Sequence, residues 1–435
     1  MGSTYLLRID NLAFGGDGVG TISSSVNNSA AGNELEGIRC FVPFSAPGDL
    51  VRVEIVKQKK RYLRGRIIEI VEASPHRRQP ECPLFGVCGG CSLQHIEYEQ
   101  QITAKRNILV QNLHRLGGFS LEDTTDTARA MDTTDATDTA RAGLYELLET
   151  VSSPREYGYR RRVRMRISRE GRPAFASVPA RTPEGSSRPA GSRVEIPSCP
   201  VATERLNSII HDIYTGTRSF PTGSMLLIQE TDGEVQWEIE GSKDGEIGFL
   251  QVNEGVNRSL VEKILGEAQR EGRSGHVDLS SLRVIDLFCG NGNLSLPMAA
   301  EGARVAGYDR NEVSIKEAQN KSPGIGPASY KKMDIKKALY GIESGNIRPF
   351  GREKPNLILL DPPRGGMGEK EMDKLYRMGA NTILYVSCDP ATLSRDLKIS
   401  RQKGYNLEKV ILFDMFPQTS HFETLAVLRR IVNLE

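Results

Sequence analysis

The sequence contains no long hydrophobic run, and this absence limits where the chain can reside. Nowhere in its 435 residues do about 18 apolar residues follow one another, so no transmembrane helix is expected. The first ten residues, MGSTYLLRID, also lack the long apolar core of a signal peptide. We therefore expect a soluble cytoplasmic protein that is monomeric and has no membrane partner.

The chain also lacks an excess of either charge, because 57 basic residues nearly balance 55 acidic ones. The formal net charge is only +2, so overall charge does not indicate a polyanionic partner. Two local stretches are basic with interleaved aromatic residues: KQKKRYLRGR (57–66) and YRRRVRMR (159–166). Such stretches contact phosphates and stack on bases, although a solvated strand face would have the same composition.

Cysteine is scarce and odd in number, which argues against a disulfide framework and towards metal binding or catalysis. Cys82, Cys88 and Cys91 have the spacing C-x(5)-C-x(2)-C and need a fourth ligand, for which Cys199 in PSCPVA is the candidate. Proline follows both Cys82 and Cys199. This favours an iron–sulfur site over zinc, whose ligands usually form two close pairs, or over reduced structural cysteines. The C-x(3)-C-x(2)-C spacing of radical enzymes is missing, so no radical chemistry is expected.

The length of 435 residues predicts about three domains. Residues 1–74 contain short β-rich runs that fit a five-stranded, OB-like β-barrel, a common nucleic-acid binding fold. Residues 75–254 carry the cysteines and form a central α+β domain, and residues 255–435 form a third domain. A helical pattern at 98–116 is expected to dock on the third domain.

Two polar stretches interrupt the central domain. Residues 119–145 contain the repeat TDTARA, and residues 179–193 are rich in proline, glycine and serine. Neither has the apolar content needed to build a core, so both are predicted to be flexible insertions.

The third domain alternates between strands and helices. LRVIDLF, ARVAGYD, PNLILLD and NTILYVS are four short apolar runs of the kind that form buried parallel strands. The alternation predicts a doubly wound, Rossmann-like α/β sheet. Ligands of such sheets bind at the carboxyl ends of the strands.

Acidic residues stand at those strand ends. VIDLFCGNGN places Asp286 before a glycine turn, which is not the G-x-G-x-x-G of dinucleotide sites. Asp309 ends the next strand and is suited to ribose hydroxyls, Asp334 follows a third strand and is suited to an adenine amino group, and Asp361 ends a fourth. The ordered set predicts S-adenosylmethionine rather than a phosphate-bearing cofactor.

Cys388, in VSCDPATLSRD, stands at the rim of a strand. A free cysteine there is either a small packed hydrophobe or a nucleophile. Carbon 5 of uracil attacks a methyl sulfonium poorly, but a thiolate that adds to carbon 6 makes carbon 5 nucleophilic. The carbon-5 proton must then leave, which needs a general base. His421 and Glu423 both precede an apolar strand, and Glu423 is preferred.

These residues resemble those of the RNA uracil-5-methyltransferases that modify 23S ribosomal RNA and the tRNA T-loop. QVNEGVN, DLFCGNGN, LLDPPRGG, VSCDPATLSRD, a terminal H-x-E and the cysteine set occur in the family's order over nearly the whole chain. The resemblance implies a TRAM barrel, a nucleophilic Cys388, a basic Glu423 and a [4Fe–4S] cluster on Cys82, Cys88, Cys91 and Cys199. It also implies a cofactor and uracil site lined by Gln251, Phe288, Asn293, Asp309, Asp334 and Asp361.

Two positions depart from the family, which more often has Glu at Asp309 and Asn at Asp334; both substitutions keep an acceptor oxygen. The sequence therefore predicts S-adenosylmethionine-dependent methylation of uridine carbon 5, with the barrel and the 160–166 strand holding RNA. By family analogy 23S rRNA is the leading substrate. The tRNA T-loop is the closest alternative, and a noncatalytic RNA-binding or assembly factor is the alternative from another class.

Overall fold

A computed structural model describes residues 4–22, 24–25, 35–119, 147–178, 192–241, 247–271 and 279–431. Its contacts divide the chain into two compact units. The first comprises Met1–Ile108, Arg155–Gly245 and Phe416–His421, and the second comprises Leu109–Pro154, Glu246–Met415 and Phe422–Glu435. The predicted insertions at 119–145 and 179–193 lie almost entirely outside the described residues, and the predicted division into three domains stays a prediction.

The amino-terminal strands form a closed barrel, as predicted. They are β1 (Thr4–Leu12), β2 (Gly18–Thr21), β3 (Ser24–Ser25), β4 (Arg39–Val42), β5 (Leu50–Gln58) and β6 (Leu63–Glu72). The order is β2-β4-β6-β5-β1-β3, and pairing of β2 with β1 closes a ring of five strands. Tyr5, Leu7 and Ile9 alternate along β1 into the barrel core, because successive side chains of a strand point to opposite faces.

A buried ion pair fixes the end of the barrel. The Asp49 side chain is fully buried and accepts hydrogen bonds from the Ala46 and Ser74 amides, at 2.6 and 2.8 Å. The Arg77 guanidinium donates two more, at 2.8 Å from Nε and 2.6 Å from Nη2. Burial alone would raise the pKa of Asp49, but these donors outweigh it and hold the pKa below its ordinary value.

After the barrel the chain forms α1 (Tyr98–Asn112), a π-helical turn at Leu113–Gly117 and β7 (Leu148–Val151). The strands that come next form the second sheet of the first unit. Its strands are β8 (Arg162–Ile167), β9 (Pro173–Ala176), β10 (Arg193–Glu195), β11 (Met225–Thr231) and β12 (Glu234–Ile239), with α2 (Glu204–Thr215) between β10 and β11. The antiparallel order is β10-β9-β8-β11-β12. Arg193 was predicted to end a flexible insertion; that was wrong, because it pairs with Ala176 and begins β10.

The second unit contains an eight-stranded sheet. Its further elements are α3 (Glu254–Glu271), β13 (Arg283–Leu287), α4 (Leu296–Ala300), β14 (Arg304–Asp309), α5 (Glu312–Lys321), β15 (Ala328–Lys332), α6 (Ile335–Glu343), β16 (Leu357–Leu360), α7 (Glu369–Arg377), β17 (Thr382–Ser387), α8 (Pro390–Leu397), β18 (Tyr405–Phe413) and β19 (Glu423–Arg430). The order is β15-β14-β13-β16-β17-β19-β18-β7.

The first five strands of this order are parallel, which confirms the doubly wound sheet, and all four predicted apolar runs belong to them. β19 lies antiparallel between β17 and β18. Every residue of β16 and β17 is buried, as expected for central strands covered on both faces. Within the described ranges, no helix is long and apolar enough to cross a bilayer.

We expect Asp49→Ala to destabilise the first unit by about 3–5 kcal/mol at pH 7, because it leaves a buried guanidinium and two amides unpaired. The carboxylate's stabilisation is present above its unfolded pKa of ~3.9 and is lost as pH falls through the lower folded value. The difference from wild type should therefore shrink below about pH 4. Urea unfolding at both pH values measures it.

The matched control is Glu72→Gln, which breaks the exposed Arg8–Glu72 pair, whose side chains are 54% and 59% accessible. Exposed pairs contribute about 0–1 kcal/mol, so this variant should unfold almost as wild type does. Equal losses in the two variants would contradict the special role of Asp49.

Candidate active site

The active-site candidate lies where the parallel sheet changes direction. From β13 the chain first adds β14 and β15 on one side and then returns to add β16 and β17 on the other. Such a reversal opens a crevice at the carboxyl ends of the strands. Asp286 lies near the end of β13, Asp309 ends β14, and Asp361 directly follows β16, so three carboxyl groups face one crevice.

These carboxyl groups influence one another. Burial, opposed by the Ser295 hydroxyl and reinforced by repulsion from Asp361 and Asp309, raises the pKa of Asp286 to about 7. Burial and repulsion from Asp309 likewise raise the pKa of Asp361 to about 7. Asp286 is only 1% exposed, and among the described residues neither of its oxygens has a hydrogen-bond partner of ordinary geometry. Burial therefore favours the protonated form of Asp286.

The glycine turn after β13 is held by the neighbouring strand. The amides of Phe288 and Cys289 both donate to the Tyr308 carbonyl, at 3.0 and 3.2 Å. Phe288 has a φ of +66°, a left-handed conformation that is rare for a bulky residue. The Asp309 carboxylate accepts from the Gly290 amide at 3.1 Å and thereby ties the turn to the end of β14.

Two further predicted residues flank this turn. Asn293 and Asn257, the latter from α3, exchange reciprocal amide hydrogen bonds of 3.1 and 2.9 Å. Gln251 precedes α3 in the segment that begins with Phe249, whose carbonyl accepts from Asn291 at 3.1 Å. The Phe249 ring is 54% exposed beside the turn. Sequence reasoning did not select Phe249, although an aromatic residue two positions before Gln251 was a usable signal.

Asp334 follows β15 as predicted and caps α6, because its side chain accepts from the Lys337 amide at 3.2 Å. The capping bond uses one carboxylate oxygen. The side chain is exposed, so the other oxygen is accessible.

The register of β17 and β19 brings Cys388 and Glu423 together. Ser387 pairs with Thr424, so the next antiparallel position sets Cys388 opposite Glu423. Both side chains are half-buried. Burial is the main cause that raises the pKa of the Cys388 thiol to about 11, and the Glu423 and Asp361 carboxyl groups add to it. Burial and the Asp361 charge also hold the pKa of Glu423 well above its usual range.

One cation opposes these shifts. Arg364, three residues after Asp361 in LLDPPRGG, lowers the pKa of both Cys388 and Glu423. Its loop is anchored by the buried Asp396 carboxylate, which accepts from the Met367 amide at 2.7 Å and from the Tyr385 hydroxyl at 2.7 Å. Sequence reasoning quoted both motifs but assigned no role to Arg364 or Asp396.

His421, the other candidate base, belongs to the first unit. Its ring packs edge-on against Phe14, with centroids 5.6 Å apart, and against Phe416 at 6.3 Å. Glu423 belongs to the second unit with Cys388, and it is the candidate base whose charge acts on the thiol. The role of Glu423 as the base stays a prediction.

The four predicted cysteine ligands meet in the first unit. Cys82, Cys88, Cys91 and Cys199 line one cavity of about 260 Å³. Burial is the main cause that raises the pKa of the Cys91 thiol to about 12, and repulsion from the other three adds to it. Burial and neighbouring thiols also raise the pKa of Cys88.

Hydrogen-bond donors already point at these sulfur atoms. The Gly90 amide donates to Cys88 Sγ at 3.4 Å, and the Gln94 side chain lowers the pKa of Cys91 through a hydrogen bond. In the part of the chain that the structure describes, no three Cys, His, Asp or Glu side chains close around a point that would hold a single metal ion.

Comparison with known families matches three parts of the chain. Residues 1–68 match the TRAM domain, residues 278–340 match a methyltransferase domain, and residues 328–431 match the tRNA (Uracil-5-)-methyltransferase family. The TRAM match covers β1 to the middle of β6, and the last match contains Asp361, Cys388 and Glu423.

Similar proteins span almost the whole chain. An uncharacterized RNA methyltransferase of Bdellovibrio bacteriovorus is 29% identical over 99% of this chain and 96% of its own length. The 23S rRNA (uracil(1939)-C(5))-methyltransferase RlmD of Vibrio parahaemolyticus is 27% identical over 90% of this chain and 91% of its own. Pyrococcus abyssi tRNA (uracil-54, C5)-methyltransferase, solved with S-adenosyl-L-homocysteine, shares the fold at a TM-score of 0.62 and 22% identity, covering 97% of this chain and 100% of that one. The chain therefore combines a segment that matches the TRAM domain with one that matches the tRNA (Uracil-5-)-methyltransferase family.

Proposed function

We propose that this enzyme transfers a methyl group from S-adenosylmethionine to carbon 5 of a uridine in RNA through a covalent adduct on Cys388. The observation that carries the proposal is the pairing of β17 with β19, which sets a thiol and a carboxyl group opposite each other at the ligand-binding edge of a methyltransferase sheet. This chemistry needs a nucleophile and a general base that both reach the same bound uracil ring.

The proposed reaction consists of addition, methyl transfer, deprotonation and elimination. The Cys388 thiolate adds to carbon 6 of uracil, and the electron pair of the C5–C6 bond moves into an enolate. Carbon 5 then attacks the methyl group of the sulfonium and releases neutral S-adenosylhomocysteine. Glu423 removes the carbon-5 proton, the double bond re-forms, and the thiolate leaves carbon 6.

Arg364 is the group that favours the thiolate and the enolate. The free thiol has a pKa of about 11, so little thiolate exists at neutral pH until something offsets burial and the surrounding carboxyl groups. The Arg364 cation acts in that direction on Cys388. The same charge would stabilise the negative oxygen that forms on the ring.

Glu423 is suited to removing the proton from carbon 5. Its pKa lies well above the usual range because it is buried and close to Asp361. A carboxylate with a raised pKa is a stronger base near neutral pH, where the reaction takes place. After it takes the proton, it no longer repels the departing thiolate.

The crevice beside these groups is the proposed donor site. Asp309, Asp334, Phe288, Asn293, Gln251 and Asp361 line or flank it, with Asp286 added by the structure. S-adenosylmethionine carries a positive sulfonium and an ammonium group. Both suit a crevice in which carboxyl groups otherwise raise one another's pKa.

The cysteine cavity fits a [4Fe–4S] cluster on Cys82, Cys88, Cys91 and Cys199. Four thiols that line one cavity of about 260 Å³, with a proline after both Cys82 and Cys199, support this assignment over zinc. When bound, such a cluster would supply the positive charge that four mutually repelling thiolates lack, and it would link residues 82–91 to Cys199.

The proposed substrate is 23S rRNA, supported by the resemblance to proteins named for that activity. The tRNA T-loop stays the second candidate, because the solved structure that shares this fold is named for uracil 54 of tRNA. A noncatalytic RNA-binding role is disfavoured by the arrangement of Cys388, Glu423 and Arg364.

We expect the purified enzyme to produce 5-methyluridine on an unmodified 23S rRNA transcript, and Cys388→Ala to reduce turnover by more than about 10⁴-fold. Nucleoside mass spectrometry of 23S rRNA and tRNA substrates measures it. Product on tRNA alone would keep the chemistry and change the substrate.

A covalent trap separates loss of the nucleophile from loss of folding. RNA with 5-fluorouridine keeps a fluorine that the base cannot remove, so wild type should form an adduct that survives denaturing electrophoresis. The Cys388→Ala protein should bind the same RNA without forming the adduct. An adduct in that variant would overturn the assignment of Cys388.

We expect Glu423→Gln to slow turnover by about 10²–10⁴-fold and to accumulate a methylated covalent intermediate, because addition and methyl transfer precede the step that needs the base. Intact-mass analysis of the protein–RNA adduct measures this accumulation. The matched control is His421→Asn, which should stay within a few-fold of wild type. The reverse pattern would make His421 the base.

We expect the full chain, purified without oxygen, to contain about four iron atoms, and Cys91→Ser to lose most of them. Metal analysis and visible absorbance measure this without any activity assay. Cys40→Ala is the matched control, because Cys40 is buried in the barrel core and does not line the cavity. A result of one zinc per chain would mean that the cysteines bind zinc and not a cluster. A result of no metal would mean that they are four reduced thiols.

A further inference from the structure

A row of arginines lies on one face of the second sheet of the first unit. Val163, Met165 and Ile167 of β8 are buried and pack into the core that α2 covers. Because side chains alternate along a strand, Arg162, Arg164 and Arg166 lie on the opposite face. β8 is the central strand of its sheet, so this row runs down the middle of the face.

Part of that face forms a groove of about 560 Å³. Arg164, Arg166 and Arg193 line it together with Phe175, Met225 and Glu240. Met225 pairs with Arg166 across β8 and β11, and Arg193 reaches the groove from β10. Three cations and one anion therefore share a groove with apolar walls.

The charges in the groove are incompletely paired. Arg164 forms an ion pair with Glu240, but both side chains are more than half exposed, so water and salt weaken the pair. Arg166 Nε is buried, and in the described part of the chain it has no hydrogen-bond partner. A buried guanidinium nitrogen without an acceptor is rare, because donors that lose water normally gain a partner.

We propose that this groove binds backbone phosphates of the RNA substrate, separately from the crevice that takes the target base. The proposal deepens the proposed function, since it rests on RNA being the substrate. Guanidinium forks bind phosphate oxygens in pairs, and Arg166 Nε is the kind of donor that such an oxygen would complete. The net positive charge of the groove favours a polyanion over a peptide or a neutral ligand.

The groove also borders the cysteine cavity. Arg164, Phe175 and Ala176 line both spaces.

The test measures salt dependence of RNA binding, because phosphate contacts release counterions. The probe is a fluorescent oligouridylate of about 20 nucleotides, bound to the full-length protein at several KCl concentrations and followed by anisotropy. Each lost contact should lower the slope of log K against log salt by about 0.7 for a single strand. Arg166→Gln should show one such loss and bind about tenfold more weakly, and Arg164→Gln with Arg166→Gln should show two.

Three further variants serve as controls. Arg352→Gln removes an exposed arginine of the second unit and should change neither slope nor affinity. Glu240→Gln frees Arg164 from its anionic partner and should tighten binding. Arg166→Lys keeps the charge without the fork and should fall between wild type and Arg166→Gln, which separates phosphate binding from a folding defect.

Unchanged slopes in folded Arg164→Gln and Arg166→Gln proteins would overturn the phosphate groove, even if the enzyme makes 5-methyluridine. Reduced slopes in a protein whose wild type methylates no RNA would keep the groove and reject the proposed function. Equal weakening by Arg352→Gln would mean that general surface charge, not this groove, binds the backbone.

Discussion

The antiparallel pairing of β19 with β17 is the constraint on which the reaction site depends. β17 runs parallel to its other neighbour and ends at the ligand edge of the sheet, so an antiparallel partner must begin at that same edge. The first residue after β17 and the first residue of β19 consequently face each other, and these are Cys388 and Glu423. A slip by one residue would turn every side chain of β19 to the other face and would separate Glu423 from Cys388.

A second constraint is the repulsion among carboxyl groups in the crevice. Burial and this repulsion raise the pKa of both Asp286 and Asp361 to about 7. In the proposed donor site, a positively charged donor molecule would relieve the repulsion, so that binding and protonation would be linked.

The first unit contains two such sites, the cysteine cavity and the arginine groove. Burial, reinforced by neighbouring thiols, raises the pKa of Cys88 and Cys91 in the cavity, and arginines line the groove that shares its wall. Among the described residues, Arg166 Nε in that groove has no hydrogen-bond acceptor. The buried Asp49–Arg77 pair shows the contrast, since there the chain itself supplies both partners and four hydrogen bonds.

Most of the strands and the strand-end acids were predictable from local sequence patterns. Apolar runs that end in acids predict the parallel strands and the positions of Asp309 and Asp361, because strand length and strand-end chemistry are local properties. The five-stranded barrel follows in the same way from alternating residues between turns. Arg193 was misplaced because pairing with β9, and not local composition, decides where β10 begins.

The sequence by itself determined which residue types stand at strand ends, and it favoured Glu423 over His421 as the base. It did not determine the register that sets Glu423 opposite Cys388, because pairing between distant strands is not a local property. It could not reveal the burial of Asp286 or the Arg364 charge that acts on the thiol, because burial and Coulomb energy depend on residues far apart in the chain. Only the tertiary structure decided these points, since strand register and burial are set by packing of the whole sheet.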